Sequence, residues 1–252
     1  MNPGLHLSNK AMFDRLLIAS PDLSEFKPGL AEEYSVAEDG KSITMTVRDG
    51  ALWHDGQPIT PEDVKFTFEL ASKVPGLHSV TAGTVDRLKG VDAYRDGTAD
   101  GIEGVVVDGN TVTLEFDELD PNLLLTLSQL PPLPRHMLQD ADPTQIQQDA
   151  FFQAPVGSGP FKLREARMGD YTVLEAFDGY WQGRPVIDVV EMYSSGESDP
   201  NLVKNVEAGT VDYAYTKSVE DATAISTVQG IQLVPVDVMY TRLFFVNDFP
   251  RN

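Results

Sequence analysis

Apolar and polar positions alternate with period two in two short stretches. In "YSVAEDGKSITMTVR", Ile43, Met45 and Val47 alternate with Ser42, Thr44 and Thr46. That pattern predicts a strand, and Asp39-Gly40 supplies the turn of a hairpin. A second hairpin is predicted over "GVVVDGNTVTLEF", where Asp108-Gly109-Asn110 separates Val105–Val107 from Val112, Leu114 and Phe116. Helical spacing appears at Met12, Phe13, Leu16 and Leu17, predicting a helix over 9–17 with Ser8 as its N-cap. "TPEDVKFTFELASK" predicts another helix, followed by the Gly- and Asp-rich loop "YRDGTADGIEG". "PNLLLTLSQL" predicts a short buried helix with Pro121 at its first position, stopped by "PPLPRH". Residues 20–153 thus predict an α+β unit built on antiparallel hairpins.

The pattern changes after residue 153. "PFKLREARMGDYTVLEA" predicts a hairpin turning near Met168-Gly169. Then come a strand "VIDVVEMY", a helix "PNLVKNVEA", a strand "TVDYAY", a helix "SVEDATAIS" and a strand "IQLVPV". Strands alternating with helices over short connections predict a parallel βαβαβ segment. The helix ends agree: Asp199 precedes Pro200, Gly209 follows the first helix, and Ser218 precedes Glu220 and Asp221.

Composition narrows the function classes. The 252 residues are 41% hydrophobic and 9% aromatic, which is globular, and long enough for one large domain or two ordinary ones. No run approaches the roughly 18–20 apolar residues of a membrane helix. "MNPGLHLSNK" has no cationic segment followed by an apolar stretch, so no export signal is read in this chain. The net charge of −20, from 39 acidic and 19 basic residues, repels phosphate backbones and disfavours nucleic acid and anionic lipid as partners. With no cysteine there is neither a disulfide nor a thiolate site.

Trp53-His54-Asp55 raises the question of catalysis, because a His beside a carboxylate suits proton transfer. Neighbours on an extended strand point to opposite faces, however, so His54 and Asp55 do not easily pair. Asp55-Gly56 is a turn dipeptide, Pro58 stiffens the exit, and Thr60 caps a helix with Pro61 at its first position. The structural reading is preferred, and replacing His54 should alter stability only modestly. His6, His54, His78 and His136 are far apart and show no metal-ligand spacing. Asp96, Asp100 and Glu103 lack the oxygen pattern of a calcium loop. "VGSGPFKL" reads as a tight turn into a strand, since no Lys-Ser/Thr pair or helix follows its glycines. Trp181, between turn residues, reads as a lid over a local core with its N–H at the rim. No catalytic residue, metal site or cofactor is predicted.

In order, these marks resemble a known family. "GLAEEYSVAEDGKSITMTVRDGALWHDGQPITPEDVKFTFE", "LPRHML", "PVGSGPFKL", "GDYTVLEAFDGYWQGRPVIDVV", "EAGTVDYAY" and "YTRLFFVNDFP" are similar to the extracytoplasmic solute-binding proteins of ABC transporters for dipeptides, oligopeptides and nickel, known as family 5. The resemblance covers nearly the whole chain. It implies a periplasmic-binding-protein-like α/β lobe, residues 1–19 and 154–252, carrying an extra α+β subdomain at 20–153. Because the family's chains are much longer, it further implies a first-lobe fragment, with the second lobe and the export signal outside this chain.

The function implied is extracytoplasmic or periplasmic binding of a small-molecule or peptide ligand, handed to a membrane-embedded ABC permease without chemistry. The alternatives are a ligand-sensing domain of a regulatory protein, a sugar- or metal-chelate-binding member of the family, and a hydrolase using His54 and Asp55. In a parallel α/β sheet, ligands meet the carboxyl ends of the strands. Ser194 and Ser195 after "VIDVVEMY", and Tyr215 and Thr216 at the end of "TVDYAY", are therefore candidate ligand contacts. The resemblance adds Met239 and Tyr240 on the strand running toward the hinge.

Overall fold

The structure is a computed structural model describing residues 9–167, 170–193 and 201–235. The chain divides into two compact units, Met1–Ser194 and Ser195–Asn252.

In the first unit, β1 (Leu17–Ala19) pairs antiparallel with β2 (Phe26–Pro28). β3 (Ala31–Val36), β4 (Ser42–Val47), β5 (Val105–Asp108) and β6 (Thr111–Glu115) form a sheet of order β3-β4-β6-β5 with every pair antiparallel. Both predicted hairpins are present. Gly40 and Gly109 take positive φ at their turns, a conformation open to glycine without cost. Ile43, Met45 and Val47 are buried as the alternation requires, and Val112 and Leu114 join them from β6.

Helix α1 (Pro61–Lys73) lies on this sheet through Val64 and Phe68. Asp63 fixes its start: one carboxylate oxygen accepts from the backbone N–H and the hydroxyl of Thr60, at 2.8 and 2.9 Å. The other accepts the backbone N–H of Arg135 at 2.9 Å, tying the helix to the segment "LPRHML". Helix α2 (Ser79–Asp86) was not legible in sequence, since most of its residues are Ser, Thr, Gly or Val and it has no side-chain cap. Helix α3 (Val91–Arg95) takes up the first two residues of the predicted Gly/Asp loop. Helix α4 (Leu123–Gln129) starts after Asn122, so Pro121 precedes the cap and is not its first residue. Helix α5 (Arg135–Leu138) follows the prolines. A third sheet, antiparallel in order β7-β8-β9, contains β7 (Phe161–Arg167), β8 (Tyr171–Ala176) and β9 (Val189–Tyr193).

The helix predicted over 9–17 is a single turn at 9–12. A continued helix would need the Met12 carbonyl and the Asp14 N–H. Both are taken across the chain, the carbonyl by the N–H groups of Ser158 and Gly159 and the Asp14 N–H by the Ser158 hydroxyl. Leu17 then enters β1. The predicted N-cap Ser8 lies outside the described residues, as does the Met168-Gly169 turn.

In the second unit, helices α6 (Leu202–Glu207) and α7 (Val219–Ile225) pack around Leu202, Val206 and Ile225. Gly209 follows α6 in the left-handed conformation, and the Ser218 hydroxyl accepts the Asp221 N–H at 3.1 Å. The mixed α/β fold is present, but the βαβαβ segment differs in its pairing. β9 is an antiparallel partner of β8, and residues 210–218 and 231–235 form no strand. Strand propensity becomes a strand only when a neighbour satisfies its backbone and covers one face. Here Val211 packs against the Leu202, Val206 and Ile225 cluster, but Tyr213 and Tyr215 are 78% and 47% exposed, so among the described residues the period-two face is not covered as a strand's would be.

Candidate functional site

Four sequence motifs meet in the first unit. "WHDG" turns through a short loop in which Trp53 N–H donates to the Gln57 carbonyl and Gly56 N–H to the Trp53 carbonyl. Gly56 has φ of +87°, and Asp55 accepts the Gln57 N–H at 3.1 Å, the Asx turn its dipeptide predicts. The Trp53 ring is wholly buried in the sheet–helix core.

His54 and Asp55 do not pair with each other. The His54 ring reaches "PVGSGP": Gly157 N–H donates to Nδ1 at 3.1 Å, and Nε2 lies 2.9 Å from the Gly159 carbonyl. Both contacts are satisfied only by neutral imidazole with its proton on Nε2. Burial lowers the His54 pKa to about 4, overcoming the Gly159 carbonyl that favours the charged ring. The ring edge also meets Phe177, centroids 5.1 Å apart. Asp55 pairs instead with His136 of "LPRHML", Nε2 to Oδ2 2.7 Å.

The glycines of "PVGSGP" serve close approach more than turning. A Cβ on Gly157 would lie 1.9 Å from the Met12 carbonyl oxygen and 2.9 Å from the His54 ring. A Cβ on Gly159 would lie 2.5 Å from the Ala11 carbonyl oxygen. The 9–14 segment is thus pressed against 157–159 with no room for a side chain.

"DGYWQG" closes the junction. The Trp181 indole N–H donates to Asp14 Oδ2 at 2.6 Å, and the Tyr180 hydroxyl to Oδ1 at 3.2 Å. Burial pushes the Asp14 carboxyl up, and these two donors oppose it. The Arg48 guanidinium stacks 4.0 Å from the Trp181 ring centroid. The indole N–H expected at a rim therefore holds a half-buried carboxylate. Asp14, Arg48 and His136 were missed as partners; the only signal for Asp14 was a polar residue inside an apolar run.

Of the candidate ligand contacts, Ser194, Ser195, Met239 and Tyr240 lie outside the described residues. Tyr215 is 47% exposed. Thr216 is built into the start of α7, its hydroxyl donating to Asp221 at 3.2 Å and accepting the Ser218 N–H at 3.0 Å. Among the described residues no group of three or more His, Asp or Glu side chains could hold a metal ion, and no helix is long and apolar enough to cross a membrane.

The family model described as bacterial extracellular solute-binding proteins, family 5 Middle, matches residues 25–248. The chain belongs to this family. Among family 5 relatives, a putative ABC transporter peptide-binding protein of Brucella ovis is 28% identical over 227 residues, covering 89% of this chain and 40% of the relative. The dipeptide-binding protein of Escherichia coli is 28% identical over 197 residues, covering 73% of this chain and 35% of the relative. The chain spans 40% or less of the length of these two curated relatives.

The fold agrees. The oligopeptide-binding protein AppA of Bacillus subtilis, solved with a nonapeptide, superposes with a TM-score of 0.75 at 24% identity, over 88% of this chain and 41% of AppA. NikZ of Campylobacter jejuni, solved with Ni(L-His), superposes at 0.71 and 22% identity, over 86% of this chain and 40% of NikZ. The family 5 match includes Arg48, His54, His136, Gly157, Gly159 and Trp181, so most of the junction lies inside the matched region.

Proposed function

We propose that this chain is the first-lobe part of an extracytoplasmic solute-binding protein that holds a peptide and hands it to a membrane-embedded ABC permease. The family 5 match over residues 25–248 carries this reading. The peptide class is supported by the printed names of the relatives, an ABC transporter peptide-binding protein and a dipeptide-binding protein. In this reading residues 1–19 and 154–252 form the lobe, and 20–153 form an extra α+β subdomain. The four-stranded sheet and α1, all between residues 31 and 115, support such a subdomain.

The ligand meets Ser194, Ser195, Tyr215, Thr216, Met239 and Tyr240. The exposed Tyr215 ring is available for stacking, whereas Thr216 has its proton committed to Asp221 and would meet a ligand only as an acceptor. The protein performs no chemistry on its solute. Supporting this, both His54 ring nitrogens are engaged with backbone groups, which leaves no free base at the His-Asp sequence.

Isothermal titration of the protein with peptides of two to nine residues, a nickel–histidine chelate and a disaccharide tests the reading. Saturable one-to-one binding of a peptide, with the others silent, is expected. Binding of the chelate or the sugar with no peptide response would overturn the peptide assignment.

A further inference from the structure

The dipeptide Asp-Gly begins at residues 39, 49, 55, 96, 100, 108 and 178. Turn geometry accounts for its use, but the pair also carries chemistry. With no Cβ on the second residue, little shields the Gly nitrogen from the carboxyl carbon of the Asp before it. Attack there closes a five-membered succinimide. The N–Cγ bond forms, the Cγ–O bond breaks, and the amide proton leaves with the hydroxyl as water. Water then reopens the ring. Addition at Cγ restores aspartate, whereas addition at the main-chain carbonyl leaves the chain running through Cβ and Cγ as isoaspartate. Only water is exchanged, so the step needs no oxidant or reductant.

Ring closure needs a free Gly N–H, a free carboxyl and a peptide able to rotate between them. Every hydrogen bond on the pair therefore raises the barrier. Six of the pairs are held. Gly40 N–H donates to the Ala37 carbonyl, and Asp39 accepts the Lys41 N–H. Gly56 N–H donates to the Trp53 carbonyl, while Asp55 holds Gln57 and His136. Gly97 N–H donates to the Tyr94 carbonyl, and Asp178 accepts from Arg184 at 2.7 Å. Gly101 is packed against Glu69, 2.8 Å from where a Cβ would lie. Asp108 is paired with Thr111 across the hairpin, and its carbonyl accepts the Thr111 hydroxyl at 2.8 Å.

Asp49-Gly50 differs from all of these. Both residues are exposed, and among the described residues no hydrogen bond reaches the N–H or carbonyl of either, or the Asp49 carboxylate. Gly50 has φ of +74°, and no atom lies within 4 Å of a Cβ built on it, which leaves room for the ring.

We propose that Asp49-Gly50 is a modification site, at which the folded chain converts spontaneously to isoaspartate. The added methylene enters the main chain next to Arg48, whose guanidinium stacks on Trp181. Conversion therefore alters the stretch that carries the junction.

The full chain, its fold followed by circular dichroism, is aged at about pH 5, where carboxyl groups are partly protonated. A second sample is aged in guanidinium chloride. Isoaspartate is then located by peptide digestion and electron-transfer fragmentation, which cleaves its extra main-chain carbon–carbon bond. In the folded chain, residue 49 should convert at least about tenfold faster than residues 39, 55, 96 and 178, the factor that one or two hydrogen bonds supply. In the unfolded chain that lead should vanish, because glycine follows every one of these aspartates. Asp49→Glu, whose ring would need six members, should lack the leading product. Equal rates across the folded chain, a lead by one of the held pairs, or the same lead for residue 49 in guanidinium would overturn the proposal.

Discussion

Replacing His54 by glutamine removes a ring that joins two distant segments and changes how stability depends on pH. Burial holds the native His54 pKa near 4, against an ordinary value of 6.5. The unfolded chain therefore takes up this proton first as pH falls. The His54 contribution is complete above pH 6.5, declines between 6.5 and about 4, and is flat below. At 1.36 kcal/mol per pH unit, the full decline is about 3 kcal/mol. At pH 7, the variant also loses one ring hydrogen bond and the contact with Phe177, together costing about 2 kcal/mol. This exceeds the modest effect expected from sequence, because the ring spans to Gly157 and Gly159 instead of standing at a turn. Urea unfolding followed by tryptophan fluorescence suits the test, since both tryptophans, Trp53 and Trp181, lie in the first unit. Carboxylates common to both proteins cancel in the difference. The variant should be less stable at pH 7, and the gap should close and then invert toward pH 4. A gap that stays constant from pH 7 to 4 would refute the buried neutral imidazole.

Gly157→Ala places a methyl group 1.9 Å from the Met12 carbonyl oxygen and should destabilise by about 3 kcal/mol or more; an unchanged melting temperature in differential scanning fluorimetry would show that the 9–14 segment is not pressed there. Trp181→Phe leaves the half-buried Asp14 carboxylate without its 2.6 Å donor and should cost about 1.5–3 kcal/mol by urea titration, whereas a loss below about 0.5 kcal/mol would mean that solvent replaces the indole. Asp63→Ala removes the acceptor of three donors, two on Thr60 and one on Arg135, and should cost about 3 kcal/mol; hydrogen exchange should rise at both Thr60 and Arg135, and a rise at Thr60 alone would dissociate the helix cap from the link to α5.

Local chemistry was readable where it is decided locally. Asp39-Gly40 and Asp108-Gly109 set their hairpins because positive φ and period-two burial are properties of a few neighbouring residues. Thr60 and Pro61 announced the start of α1 for the same reason. The helix expected over 9–17 was cut short by Ser158 and Gly159, about 145 residues away, and no local pattern records such a partner. "PVGSGP" displayed its glycines, but a glycine kept for close approach looks the same in sequence as one kept for a turn. Strands expected at 210–215 and 231–236, the last residue of which lies outside the described residues, depended on a neighbouring strand, and propensity cannot supply one. Of the candidate ligand contacts only Tyr215 and Thr216 lie among the described residues, and the engagement of the Thr216 hydroxyl with Ser218 and Asp221 beside α7 was not read from the sequence, where Thr216 stood only as a residue at a strand end.

The claim at the centre is that a family 5 chain carrying a His-Asp sequence binds peptide and leaves it unchanged. Mass spectrometry of the solute released on denaturation, after isolation of the protein from its native host, tests this most directly. Intact peptides released in one-to-one proportion are expected, and the same peptides should survive prolonged incubation with the protein. Release of a sugar or metal chelate in place of peptide, or cleavage of the peptides that is abolished by His54→Gln, would contradict the account.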